Sequence, residues 1–301
     1  TMPVKTVEAP CTRDEIGPQG LTASLLGNDK SQLTATAFTS EDVMAATFNT
    51  EFMTEIGKVI GNNCLQADIA CLYGRGNNIH RTPYGGRNFE YYSEDGFLSG
   101  MMSAYEVKAI QDKGVHVVMK HFALNDCEQD RIGLGVWLNE QAAREVYLKA
   151  FQAPVEGGNG NGVMIAYTRW GAVWSGGNYG LVTGILRNEW GWNGAIDTDA
   201  APCFDEYVDG GYKNHAAEVL DAGTQEWCLD GVGGHGQWIL QKAKDTDDGH
   251  LLELLTEAAI SWEYAISRSV VTNGTASNSV IEHVTPYWQT AITAEIAVTG
   301  I

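Results

Sequence analysis

Residues 114–131, GVHVVMKHFALNDCEQDR, carry a short apolar run straight into a group of side chains able to grip a polar ligand. Lys120 and His121 stand where the run gives out, with Asn125, Asp126, Glu128 and Arg131 in the turn beyond. An ammonium, an imidazole and a guanidinium among carboxylates supply charged donors and acceptors for holding a ligand or moving a proton. Asp199 is placed in the same way, at the end of the apolar segment GAIDTDA over residues 194–200. Asp197, two positions earlier, shows that acidic residues here need not be catalytic.

Such groups need strands to aim them. Val115, Val117 and Val118 are β-branched and the run is too brief for a helix, which predicts a buried strand of an α/β fold. The carboxyl ends of parallel strands are where such folds assemble their sites. Along the chain, strand-like and helix-like segments alternate. After an irregular opening through Gly17, Pro18, Gln19 and Gly20, Ser40 is expected to cap one helix, with Met44, Phe48, Phe52, Ile56 and Ile60 recurring every four residues as its apolar face. Residues 67–74, ADIACLYG, predict a strand that empties into a loop over residues 75–92, and loops of that length in compact domains are usually functional. Ser93 is expected to cap a helix ending near Gln111, and Asn139 to open another through Arg144, Val146, Tyr147 and Phe151. Strands over 162–170, 194–200 and 224–229 then alternate with helices near 181–189 and 214–220. Helices near 238–244 and 250–267 close the series, and residues 273–279 read as a surface turn within a tail or extension over 273–301.

Repeated βα units with polar groups at the strand ends predict a (β/α)8-like TIM-type barrel, one domain over residues 1–301, with its site at the carboxyl face. The alternative is a doubly wound sheet. Gly74-Arg75-Gly76 lacks the third glycine of a dinucleotide loop, and neither a GxSxG elbow nor a P-loop occurs, so no cofactor is expected.

Composition narrows the partners. With Lys+Arg 19 against Asp+Glu 38, the net charge of −19 would repel phosphate backbones and anionic lipid, which argues against nucleic acid and membrane surfaces. Nine Trp and twelve Tyr together with the carboxylates suit a carbohydrate ligand. The six cysteines show no zinc spacing, so no metal is expected and the thiols are read as free and buried. The opening TMPVKTVEAP lacks the apolar core of a signal peptide, and the apolar run over 286–301 falls short of the roughly 20 residues that span a bilayer. No membrane span is expected. The compartment stays open, with an extracellular or cell-surface place favoured over the cytoplasm.

Five stretches in one order then carry a resemblance: NIHRTPYGGRNFEYYSED (78–95), VMKHFALNDCEQDR (118–131), REVYLKAF (144–151), VMIAYT (163–168) and LRNEWGWNGAIDTD (186–199). Together they resemble the successive motifs of family 3 glycoside hydrolases, the β-glucosidase and β-xylosidase group, over residues from about Gly17 to Ser267. The resemblance implies a barrel domain and a retaining mechanism with a carboxylate nucleophile at Asp199 and a separate acid/base. It also implies that Arg87, Lys120, His121 and Arg131 grip sugar hydroxyls, where charge-assisted hydrogen bonds are short and directional, and that Tyr167 lies close to the nucleophile. Trp170 and Trp174 are read either as a sugar-stacking wall or as packing.

Three departures from the family pattern bear on function. Ile16 stands where the family usually has an aspartate before Gly-Pro, with Asp14 or Glu15 as the only nearby replacements, and Ala200 stands where an aromatic residue commonly follows the nucleophile. The chain also has no room for the second α/β domain that supplies the acid/base in two-domain members, and it omits the first part of the usual barrel. A partner domain or chain is therefore expected to supply the acid, with Glu128, Glu90 and Glu226 as candidates within the chain. The reading is an exo-acting β-glycosidase module; the alternative is a catalytically silent sugar-binding or structural subunit.

Overall fold

Five short parallel strands, hydrogen-bonded in the order of the chain, form the centre of the molecule. They are β1 (Asp14–Ile16), β2 (Cys71–Gly76), β3 (His116–Phe122), β5 (Gly162–Ile165) and β8 (Ala195–Thr198). In the computed structural model the described residues are 14–22, 35–132, 134–200, 215–228 and 235–269. Strictly sequential order distinguishes a barrel from a doubly wound sheet, whose order reverses at a switch point. The fold is TIM-barrel-like α/β, as expected, but among the described residues the barrel has five strands rather than eight and does not close. A second sheet joins the two-residue strands β4 (Gly135–Val136), β6 (Arg169–Trp170) and β7 (Val173–Trp174). The strand expected over 162–170 thus divides: β5 ends at Ile165, Ala166 donates to Phe122 O at 2.7 Å, and the chain turns into β6. The strand expected over 224–229 reduces to a parallel bridge between Asp197 and Glu226.

All seven residues of β3 are buried. That is what a β-branched run predicts for a strand covered on both faces. The single helix expected from Ser40 is instead two, α1 (Glu41–Ala45) and α2 (Thr50–Gln66). Phe48 lies between them at φ 50° and is 73% exposed, while the Asn49 side chain accepts from Phe52 N and caps α2. The reason is geometric. At 100° per residue an apolar repeat of four overshoots a turn by about 40° each time, so five repeats cannot share one face. Met44, Ile56 and Ile60 are buried and Phe52 is exposed.

The next helix, α3 (Gly96–Gln111), is capped by Asp95, whose carboxylate accepts from Phe97 N and Leu98 N, rather than by Ser93. The Ser93 hydroxyl lies two residues upstream and accepts from Asp95 N at 3.1 Å. Helices α2 and α3 cross closely because Gly57 leaves space: a Cβ there would stand 2.6 Å from Glu106 O. Asn139 opens α4 (Glu140–Ala142) as expected, its side chain accepting from Ala142 N. A π-type turn over Ala143–Tyr147 leads on into α5 (Lys149–Glu156). Arg144, from the third family-like stretch, is structural here, pairing with Glu189 at 2.5 Å and Glu140 at 2.9 Å on the surface. The helix Gly180–Glu189 follows, then α6 (Ala216–Asp221), α7 (His235–Asp245) and α8 (Gly249–Ser267). None of the described helices is long and apolar enough to cross a membrane, and the segments 273–279 and 286–301 lie outside the described residues.

Arg75, inside β2, is wholly buried between Glu41 of α1 at 3.1 Å and Glu106 of α3 at 3.2 Å. It also donates to the backbone oxygens of Gly17, at 3.1 Å, and Pro18. Tyr92 donates to Glu106 Oε2 at 2.6 Å. Burial pushes the Glu41 and Glu106 carboxyls upward against the pull of Arg75, which favours retention of a proton between two acids that share one guanidinium. Cys64 and Cys71 are buried free thiols as read from the sequence, whereas Cys127 is exposed and Cys228 half-buried; Cys11 and Cys203 lie outside the described residues.

Replacing Arg75 with Met should cost about 3–5 kcal/mol, because it strands two buried carboxyls, whereas Glu41→Gln should cost about 1 kcal/mol or less. Equal losses in denaturant unfolding would contradict this charge arrangement. His116 gives a pH prediction. Burial, with Arg268 nearby, lowers its pKa from 6.5 to about 4. The stability of its neutral form is therefore present above pH 6.5 and lost as pH falls towards 4, about 3 kcal/mol in all. Stability measured against pH for wild type and His116→Gln should converge by that amount over this window.

Candidate active site

Gly76 is where the chain first bends towards the mouth of the sheet. A Cβ there would stand 2.0 Å from Glu90 O, so only glycine lets the loop beyond β2 fold back against its own strand. That fold-back delivers Arg87, Glu90 and Tyr91 beside the end of β3, where Lys120 and His121 emerge. Asn78 fixes the strand end by accepting from His121 N at 2.9 Å and donating to His121 O at 3.0 Å.

The sequence-predicted residues form one connected group. Glu90 binds Arg87 Nε through one oxygen and Lys120 Nζ at 3.5 Å through the other. Arg87 reaches Glu128 at 3.9 Å, and Glu128 holds Arg131 at 3.0 Å and accepts from Asn125 Nδ2 at 3.0 Å. Arg131 lies over the Tyr167 ring at 4.9 Å, and the Tyr167 hydroxyl donates to Ala200 O at 3.3 Å. At the far end of the sheet Asp199 leaves β8, with Oδ1 accepting from Ala200 N at 2.8 Å and Oδ2 facing His121 Nε2 at 3.7 Å. All six residues singled out from the sequence thus line one mouth.

Burial sets the charge states. His121 is pushed well below the ordinary imidazole value by burial and by Arg87, Lys120 and Arg131, so it is neutral. Tyr91 OH receives Asn125 Nδ2 at 3.5 Å and lies 3.2 Å from His121 Nδ1. A phenol that donates to Nδ1 leaves the ring proton on Nε2, aimed at Asp199. Burial lowers Lys120, and Glu90 offsets part of the shift. For Glu90 burial acts upward, but Arg87 and Lys120 outweigh it and its carboxyl lies below the usual value.

Those states bear on the candidate acids. A general acid must hold a proton, and Glu90 is kept ionised by two cations. Glu128 is likewise clasped between Arg87 and Arg131. Glu226 pairs with Asp197 through the backbone only, and its charge raises the Asp197 carboxyl. Glu90 and Glu128 therefore have other work. Glu90, Glu128, Tyr91, Asn125 and Asn78 act as braces, a role that spacing alone did not reveal.

In β1, Glu15 is buried, its Oε1 accepting from Ile16 N at 2.9 Å, while the Ile16 side chain is exposed. Trp174 is buried and donates to Ala166 O at 3.0 Å, which makes it packing rather than a stacking wall, and Trp170 packs half-buried on the same core. Among the described residues no group of His, Cys, Asp and Glu has the geometry to hold a metal ion.

An open TIM-barrel-like sheet whose mouth joins a strand-end aspartate to a braced set of cations defines an α/β-barrel protein with a candidate polar-ligand site at its carboxyl face. The sequence profile described as "Glycosyl hydrolase family 3 N terminal domain" matches residues 22–227, and the chain belongs to that family. It is 36% identical over 211 residues to a β-glucosidase from Ruminococcus albus, covering 69% of this chain and 22% of that protein. A thermostable β-glucosidase B from Acetivibrio thermocellus is 32% identical over 264 residues, covering 86% of this chain and 33% of that protein. Among solved structures, β-glucosidase 3B from Thermotoga neapolitana in complex with glucose superposes with a TM-score of 0.80 at 31% identity, covering 93% of this chain and 39% of that one. The chain spans between about a fifth and two fifths of the proteins it matches.

Glu90→Ala should cost about 3–5 kcal/mol in urea unfolding, since it leaves Arg87 and Lys120 as buried cations without their shared carboxylate. A loss under about 1 kcal/mol would show that both cations hydrate freely and that Glu90 braces nothing.

Proposed function

We propose that this chain is the barrel module of a retaining, exo-acting β-glycosidase, β-glucosidase-like in its choice of β-linked sugars, whose acid/base comes from a second α/β domain or partner chain. The observation that carries this reading is the contrast among the mouth carboxylates: Glu90 and Glu128 are clasped by cations, while among the described residues Asp199 has no ion pair with a Lys or Arg and its Oδ2 faces the neutral imidazole of His121 at 3.7 Å. A carboxylate not neutralised by an ion pair keeps its nucleophilicity.

In the first step Asp199 Oδ2 bonds to the anomeric carbon as the bond to the leaving oxygen breaks, and the external acid gives that oxygen its proton. In the second, water attacks the same carbon and transfers a proton to the same external group, and Asp199 departs as carboxylate. Arg87, Lys120, His121 and Arg131 hold the sugar hydroxyls. His121 donates from Nε2, and its neutrality avoids an ion pair that would quench Asp199. Tyr167, stacked under Arg131, donates to the carbonyl of Ala200, the residue after the nucleophile.

The similar proteins named as β-glucosidases support the substrate class. The engagement of Glu90 and Glu128 by cations supports an acid from outside the chain.

A 2-fluoro-2-deoxy glycoside with a good leaving group should label Asp199, detected by peptide mass, and Asp199→Asn should abolish both label and turnover. For the acid step, a 2,4-dinitrophenyl glycoside leaves without protonation, so the single chain should cleave it while a natural disaccharide is slower by about 10²–10⁴-fold or more. Adding the partner should restore the disaccharide selectively. Full disaccharide activity by the pure chain would overturn the external acid, and a folded, sugar-binding sample that never labels Asp199 would overturn the nucleophile.

A further inference from the structure

We infer that Tyr91 is a positioning residue: a one-way chain of hydrogen bonds that starts at Glu128 and passes through Asn125 and Tyr91 fixes His121 with its proton on Nε2, and so keeps Asp199 ionised for attack. The last step rests on the reading of Asp199 as nucleophile; the hydrogen-bond chain does not.

Backbone geometry puts the phenol in place. Tyr91 pairs with Gly76 at the end of β2, where a Cβ would stand 2.6 Å from the Tyr91 ring, so glycine alone leaves room for it. From there the ring meets that of His121 edge-on, with centroids 6.4 Å apart and planes at 89°. Tyr91, His121 and Asn125 are all buried, so water does not compete for their polar atoms.

Direction follows from one acceptor. Glu128, held by Arg131 at 3.0 Å and by Arg87 at 3.9 Å, is a carboxylate and can only accept. The Asn125 amide must therefore turn its nitrogen towards it, and Nδ2 donates to Glu128 Oε1 at 3.0 Å. The second hydrogen of that nitrogen goes to the Tyr91 hydroxyl oxygen at 3.5 Å. Burial opposes ionisation of the phenol, so Tyr91 keeps its proton and aims it at His121 Nδ1, 3.2 Å away. The reverse arrangement would set two donors against one phenol oxygen and leave the phenol proton no acceptor among the described residues. An Nδ1 that accepts leaves the single proton of the neutral ring on Nε2, which faces Asp199 Oδ2 at 3.7 Å.

The consequence falls on Asp199. A lone pair at Nε2 would set acceptor against acceptor, and the carboxyl would turn away or take up a proton. An N–H there favours the carboxylate instead. Donation to Nδ1 also polarises the imidazole and strengthens its Nε2 donor. Tyr91 thus acts on the nucleophile through His121, without touching it.

Nitrogen-15 NMR of the imidazoles in the full chain, in its native assembly and without sugar, reads the tautomer directly, with His121→Gln assigning the signal. The wild type should show Nε2 protonated and Nδ1 bare. Asp199→Asn separates the two neighbours of the ring, because an amide tolerates either tautomer: the single tautomer should persist there and give way to a mixture in the double variant Tyr91→Phe/Asp199→Asn. A proton on Nδ1 in the wild type, a mixture in Asp199→Asn, or one unchanged tautomer in the double variant overturns the inference. If the double variant does not fold, the first two samples decide. Kinetics then test the role in the reaction. On a 2,4-dinitrophenyl glycoside, Tyr91→Phe should lower kcat at least about tenfold, with KM within about threefold and the acid limb of kcat/KM moved to higher pH. A lower Tm with kcat and the acid limb unmoved would make Tyr91 structural only and overturn its positioning role. No turnover by folded wild type showing the expected tautomer overturns the nucleophile reading, and with it the catalytic role drawn here, while the hydrogen-bond chain stands.

Discussion

A single guanidinium with no access to water ties β2 to the segment after β1, to α1 and to α3. Arg75 touches the segment after β1 through two carbonyl oxygens, α1 through Glu41 and α3 through Glu106, all from a position inside β2. A buried ion pair adds little net stability compared with a well-packed apolar substitute, because desolvation offsets most of the attraction. Its value lies in geometry. Five planar donors aimed at fixed acceptors allow only one relative placement of these elements. The segment after Ile16 and the loop that carries Arg87 both start beside this contact, the first at Gly17 and the second at the end of β2.

The mouth uses charge in another way. Arg87, Lys120 and Arg131 are matched by Glu90, Glu128 and Asp199, so the local field is close to neutral in a chain that carries −19 overall. Two of the three carboxylates serve as braces, and that division of labour leaves Asp199 the open one. His121 completes the arrangement as a neutral group. An imidazolium in its position would pair with Asp199 and close the site, and burial among three cations prevents it. The same layout makes Glu90 a poor general acid: a carboxyl poised to donate a proton needs an environment that raises its pKa, and Arg87 and Lys120 lower that of Glu90.

Much of this was present in the residues themselves. A β-branched run before Lys120 and His121 determined a buried strand with chemistry at its end, because a parallel strand covered on both faces admits little else. Asn139 determined a helix start, since an amide oxygen that reaches a free backbone N–H acts within a few residues. Sequential βα alternation determined the barrel-like order of strands, and the long polar motifs determined the family. Interactions local in sequence, or repeated with a fixed period, are legible there. Tertiary structure decided what depended on the third dimension. Two helices replaced one around Phe48 because an apolar period of four drifts around the cylinder and Asn49 offered a better cap. Glu90 and Glu128, which spacing could equally make acids, became braces because folding brought cations from distant segments against them. Trp174 went to packing when Ala166 O met its indole N–H. That Glu15 is buried and Ile16 exposed was likewise decided only by the pairing of β1 with β2, because a one-residue change of register reverses every side chain of a strand.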